Sequence, residues 1–198
     1  MKQFLDYLRH KYLEKNFILL LYILILFLLL TGKAIGQTIN STTYPLVSST
    51  GVGLASYTSL GTLVSSGNDD TNSWLTNIGF DFWFNGVRYT QFGVNTNGHL
   101  KLGSVVTNIN YINNLANGTE NPKIAPYWDD LTTGSDGYVK YGLIGSAPNR
   151  RLVVEWKANV YVNNATVSNS APLLFQAILS ETTGTIQFIY GGTIATSS

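Results

Sequence analysis

The chain has 198 residues, 44% of them apolar and only 12% charged, with no cysteine. That length leaves room for one domain with a sizeable core, and the charge content falls well below the roughly 25% usual in soluble globular proteins. Twelve basic against eleven acidic residues leave a net charge of +1, and past Gly36 seven Lys or Arg face nine Asp or Glu, so there is no basic stripe for nucleic acid. Absence of cysteine excludes disulfides, thiol catalysis, thiolate zinc and lipoprotein-type lipid attachment.

In chain order, Met1 to Asn16 carries Lys2, Arg9, His10, Lys11 and Lys15 ahead of an unbroken apolar run, Phe17 to Leu30. Small residues follow at Ala34-Ile35-Gly36. This pattern predicts a helical secretory signal peptide over residues 1–36, cleaved after Gly36 to leave Gln37 as the mature N-terminus. A retained signal anchor is the alternative, but the apolar run is shorter than the ~20 residues a spanning helix needs. The membrane is then met only through the signal peptide during export.

Residues 37–56 read as an extended, glycine-punctuated lead-in, with an edge strand around Tyr44 to Val47. From residue 57 to 198 the chain reads as one β domain, rich in Asn, Thr, Ser, Gly and Tyr, which suit pleated surfaces and tight turns. A first strand is expected over Tyr57 to Val64 and a turn over Ser65 to Asp70. Ile78, Phe80, Phe82 and Phe84 then alternate with Gly79, Asp81 and Trp83 before Asn85-Gly86, and Val87 to Val94 returns. Asn-Gly between two β-like runs signals a hairpin, because both residues tolerate the positive φ of a type I′ turn. Asn97-Gly98 repeats the device ahead of His99 to Leu102, giving a three-strand antiparallel meander with the Ile and Phe residues on its core face and Trp83 on the other.

Val105 to Asn121 has no sustained period and reads as a long loop with a helical turn near Tyr111 to Leu115; loops of this length are often functional. It leads into Lys123 to Gly137, where Tyr127 and Trp128 precede the acidic pair Asp129-Asp130, and Asp136-Gly137 forms a turn. Strands are expected at Tyr138 to Ile144, Arg151 to Val162, Leu173 to Leu179 and Ile186 to Tyr190. Roughly nine short strands with turn signals between them predict an all-β, antiparallel two-sheet sandwich or jelly roll. The last residues, Ala195 to Ser198, close no strand, so either the sequence belongs to a longer protein or its N-terminal segment covers the exposed edge.

Several phrases carry a resemblance: Phe80-Asp81-Phe82 to Asn85-Gly86, Val94 to Gly98 (VNTNG), Ile124 to Asp130 (IAPYWDD), Asn149 to Trp156 (NRRLVVEW) and Thr183 to Phe188 (TGTIQF). Together, and in this order, they resemble the N-terminal β-sandwich module of secreted Bacteroidota surface proteins, which is similar to the nidogen-like domain. The resemblance implies a secreted or cell-surface interaction module, often followed by Ig-like or fibronectin-type repeats and a type IX secretion signal. It implies no catalytic residues.

For chemistry, Asp129, Asp130 and Asp136 with nearby carbonyls are candidate oxygen ligands for Ca²⁺, which takes 6–8 of them. Their spacing fits no EF-hand loop, and Asp residues that cap turn N–H groups explain the same stretch. Tyr127, Trp128, Trp83 and Trp74 are candidates for an aromatic platform under a sugar ring, with Asp129 and Asp130 taking hydroxyls. Core packing is the expectation for Trp156 and Trp83. A hydrolase would need facing carboxylates, for which Glu155 and Glu181 are the candidates, although Arg151 and Lys157 on the strand face of Glu155 favour a solvated ion pair. His99 alone supports neither a serine triad nor a multi-histidine metal site. The expected function is a non-catalytic surface module recognising extracellular carbohydrate or protein, with no cofactor other than a candidate Ca²⁺. The alternatives are a carbohydrate-active hydrolase and an architectural spacer.

Overall fold

The computed structural model describes residues 1–3, 12–13, 15–16, 22, 45–107, 111–114, 120–162, 165–166 and 172–191. Met1–Gln37 forms a unit of its own, in which Lys2, Gln3, Tyr12, Leu13, Lys15, Asn16 and Tyr22 are helical. The expected signal peptide otherwise lies outside the described residues, among which no helix is long and apolar enough to cross a membrane.

The second unit is all-β. Its strands are β1 (Thr58–Val64), β2 (Thr76–Phe84), β3 (Val87–Val94), β4 (Leu100–Leu102), β5 (Lys123–Ile124), β6 (Leu131–Thr132), β7 (Tyr138–Ile144), β8 (Arg151–Val162), β9 (Ala165–Thr166), β10 (Leu173–Ser180) and β11 (Ile186–Gly191). All pairings are antiparallel. A large sheet runs β1-β7-β8-β10-β11, with β6 and β9 also pairing to β8, and a small sheet runs β2-β3-β4-β5. The expected strands reappear within two residues of their predicted ends, apart from the lead-in strand. Pro45, Leu46 and Val47 are exposed and irregular, and Ile112 to Asn114 form no helical turn. The short β5, β6 and β9 have too few residues for period-2 alternation to mark them.

The two sheets face each other across one core. Ile78, Phe80, Phe82, Phe92, Val94, Leu100, Leu102 and Ile124 from the small sheet pack against Val139, Leu152, Val154, Trp156, Phe175, Ala177 and Leu179 from the large one. Trp156 is fully buried, stacks on Phe175 with ring centroids 5.3 Å apart, and donates its indole N–H to the Asn95 carbonyl at 2.9 Å. This bond ties the middle of the large sheet to the turn that follows β3.

The outer face of the large sheet is covered too. Val153, Ile178 and Ile189 form a second apolar cluster, closed by Leu54, Ala55 and Tyr57 from the lead-in. Gln176 holds that segment like a neighbouring strand, accepting from Ala55 N–H at 2.8 Å and donating to its carbonyl at 3.1 Å. Without such cover, alternation would have left Val153 in solvent.

Trp83 departs from the core packing expected of it, with 50% of its surface exposed. It lies opposite Arg88 on the outer face of the β2–β3 hairpin, beside the exposed Asp81–Arg88 ion pair of 2.9 Å. Phe80 and Phe82 had already taken the inward positions, so the pleat turned the indole out.

Candidate functional site

At one end of the sandwich three turns meet: residues 65–72 after β1, 95–98 between β3 and β4, and 127–133 around β6. Asn97 joins them, donating its side-chain amide to Asp70 at 2.8 Å while its carbonyl oxygen accepts from Leu131 N–H at 2.8 Å. Asn68 and Thr133 link the first turn to the third, through Thr133 N–H to the Asn68 carbonyl (2.9 Å) and Asn68 N–H to the Thr133 hydroxyl (2.9 Å). Gly98 is required here. Its φ of +79° suits glycine, and a Cβ would overlap the Tyr127 carbonyl oxygen.

This junction brings Asp69, Asp70 and Asp130 together, with one carboxylate oxygen from each lying within 4.8 Å of the others. Asp70 sits at φ 47°, in the left-handed region that Asp tolerates better than most residues. Burial and then the Asp70 charge push the Asp69 carboxyl above the usual range, offsetting a backbone hydrogen bond that acts the other way. Asp130 is pushed up as well, by burial first and then by the charges of Asp69, Asp70 and Asp129. For both groups burial sets the direction, with the neighbouring carboxylate charges adding to it. An all-oxygen set of this kind suits a hard cation such as Ca²⁺ rather than zinc.

The expected ligand set is only partly assembled. Asp130 belongs to the cluster, but Asp129 accepts its neighbour's N–H (Asp130 N, 2.9 Å), the turn-capping role. Asp136 is drawn off instead by Lys157, 2.6 Å away. Asp69 and Asp70 were read only as turn residues. One signal for them was present: Asp69-Asp70 and Asp129-Asp130 are the two acidic pairs in a domain poor in carboxylates.

The aromatic platform is also rearranged. Trp128 is only 8% exposed, lies 5.3 Å from the His99 ring, and carries the Lys123 ammonium 3.5 Å above its own ring. Tyr127 is half-buried on Phe175, at 5.5 Å. Trp74 is 88% exposed and follows Asp70 by four residues. Of the tryptophans considered for the platform, Trp74 is the most exposed, while Trp128 packs inward.

Thr107 and Glu120 meet beside Lys101 on β4 of the small sheet. Glu120 is buried there, 2.8 Å from Lys101 Nζ, and accepts from the Thr107 N–H (3.1 Å) and hydroxyl (2.7 Å). His99 is fully buried and neither ring nitrogen has a hydrogen-bond partner among the described residues. Burial, with the Lys123 charge adding, pushes its imidazole down to about 3, so it is neutral at physiological pH.

Glu155 and Glu181 do not face each other. Glu155 lies opposite Gln176 and accepts from the Gln176 amide (2.7 Å) and the Tyr138 hydroxyl (3.0 Å), rather than pairing with Lys157 or Arg151. Glu181 lies in the turn after β10, gripped by Arg150 through two side-chain bonds of 2.8 and 2.5 Å. Five residues of strand direction separate Gln176 from Glu181, roughly 16 Å at a β rise, beyond the 5–9.5 Å of a glycosidase pair.

Comparison with curated proteins and with solved structures finds no match. A family model described as NIDO related matches residues 43–198, the span of the sandwich with its lead-in. With that match covering most of the sequence and an all-β sandwich beneath it, the chain belongs to the NIDO-related, that is nidogen-related, family.

Proposed function

We propose that this chain is an exported, non-catalytic recognition module of the cell surface or extracellular space, and that it binds carbohydrate at the end where the three turns meet. The observation that carries the reading is Trp74, an exposed indole four residues beyond Asp70 on the segment that also presents Asp69 and Asn72. An apolar sugar face stacks on such a ring while carboxylates and amides take its hydroxyls. Asp70 on the same turn, and Asp130 and the half-buried Asp129 on the turn around β6, are the acceptors, with Tyr127 two residues before Asp129. The hydrolase alternative has lost the carboxylate pair that motivated it.

The test is thermal unfolding of residues 38–198 against a panel of oligosaccharides, each run in EDTA and in millimolar Ca²⁺. A ligand at 100 times its dissociation constant stabilises the native state by about 2.7 kcal/mol, a rise in midpoint of about 5 °C or more for a domain this size. The expected result is such a shift with at least one oligosaccharide, lost in Trp74→Ala. A shift that appears only with Ca²⁺ and is lost in Asp70→Asn would make the contact cation-bridged. No shift with any sugar would sink the carbohydrate reading in favour of a protein ligand or a spacer.

A further inference from the structure

The edges of the two sheets are not equally protected. Edge strand β1 pairs with β7 through two register shifts, and edge strand β2 carries one shift, with Gly79 at φ +92°. Edge strand β5 has only two residues. Bulges and short length are the usual ways of blunting an edge. β11 has none of them. Its six residues, IQFIYG, include no charge and no proline, pair with β10 in unbroken register from Ile186 to Gly191, and have β10 as their only strand partner among the described residues, while the Tyr190 hydroxyl donates to the Pro126 carbonyl at 2.6 Å and Gly191 lies against Leu54.

The hydrogen-bonding pattern shows what that edge offers. Ser180 N–H donates to the Thr185 carbonyl at 3.0 Å, just before the Leu179–Ile186 pair. Antiparallel alternation then turns the N–H and C=O groups of Gln187, Ile189 and Gly191 toward β10 and those of Ile186, Phe188 and Tyr190 outward. The side chains of these same three residues lie on the sandwich-facing side, since Ile186 packs into the main core and Ile189 into the outer cluster. Phe188 and Tyr190 are nevertheless 40% and 42% exposed, so the inner face is open at this edge.

We infer that β11 is a self-association edge, pairing antiparallel with β11 of a second copy about a twofold axis through Phe188. The occupant is a second copy because the strand is complementary to itself in this one register. Phe188 then opposes Phe188, Ile186 opposes Tyr190, and all three outward-facing residues form hydrogen-bonded pairs. Aromatic and aliphatic pairs across strands stabilise such contacts, and an uncharged strand meets no like charge in its copy. The contact is isologous and uses up both free edges, so it closes as a dimer, and the bulged β1 at the far side of the sheet blocks further growth. This inference is independent of the carbohydrate reading, whose residues lie on other segments.

Charge swapping at the axis tests it. Residues 38–198 contain every residue of both apolar clusters and serve as the sample. In sedimentation velocity the wild type is expected to show a monomer–dimer equilibrium across the micromolar range. Phe188→Lys and Phe188→Glu, each placing like charges on the axis, should weaken it by about tenfold or more, and an equimolar mixture of the two variants should restore association. A wild type that stays monomeric overturns the inference, as do dimers insensitive to both variants or variants that fail to associate when mixed. Should a variant misfold, hydrogen exchange on the wild type decides. The Phe188 amide gains protection as concentration rises if the edge pairs, and exchanges at one rate at all concentrations if it does not.

Discussion

Carboxylates are used in two ways in this molecule, with opposite consequences. Glu120 is buried with Lys101 at 2.8 Å, Thr107 donating twice and Lys123 adding its charge. Asp69, Asp70 and Asp130 sit near the surface, facing one another, with Asn97 as a donor to one of them. The first arrangement uses the Glu120 carboxylate to tie Thr107 to Lys101 on β4. The second leaves Asp69 and Asp130 pushed up by burial first and by neighbouring charge second, and groups perturbed in this way near the surface are what a ligand can act on.

The largest expected effect of breaking this contrast is at Glu120. Glu120→Ala should cost about 3–5 kcal/mol in denaturant unfolding, because it strands the Lys101 ammonium, whose side chain is only 13% exposed. Adding Lys101→Met should recover part of that loss; an additive or larger loss would mean that packing, rather than charge, sets the cost.

Next comes pH. The His99 imidazole is pushed by burial, and then by the Lys123 charge, from its ordinary 6.5 down to about 3. Below pH 6.5 the unfolded chain binds a proton that the native state resists, so stability falls by about 1.4 kcal/mol per pH unit until the native imidazole also titrates. Unfolding free energies measured from pH 7 to pH 4.5 should show this slope, and His99→Phe should flatten it. An unchanged slope in that variant would place the acid sensitivity elsewhere.

The acidic cluster has the opposite sign. The native carboxyls of Asp69 and Asp130 bind protons more tightly than their unfolded counterparts, so this region gains stability as pH falls toward the carboxylate range and loses it as pH rises through the raised native values. In the His99→Phe background the residual slope should therefore run the other way. The smallest effect is Asp69→Asn at neutral pH and low salt, expected to raise stability by under about 1 kcal/mol, since the group is exposed and screened. Destabilisation there would mean that the Asp69 carboxylate is held by a favourable contact.

Much of the scaffold was legible because its signals are local. The Ile78-Phe80-Phe82 alternation and the Asn85-Gly86 and Asn97-Gly98 turns depend on neighbours two to four residues away, and the hairpins formed where expected. Asp69 and Asp130 are sixty-one residues apart, and nothing local to either announces the other. Asp136, nearer in sequence to Asp130, was captured by a lysine on β8. Trp128, a candidate for the aromatic platform beside two carboxylates, is packed inward against His99, while Trp83, for which core packing was expected, faces out.

By itself the sequence determined the all-β class, the extents of the longer strands, the core face of β2 and the absence of thiol chemistry, because alternation, turn residues and composition are properties of short stretches. Tertiary structure decided which carboxylates meet, which tryptophans face water, how the lead-in covers Val153 and Ile178, and which sheet edge is left flat. Each of these depends on which distant segments the two sheets bring together, and pairing partners are set by the packing of the whole core rather than by any residue's neighbours.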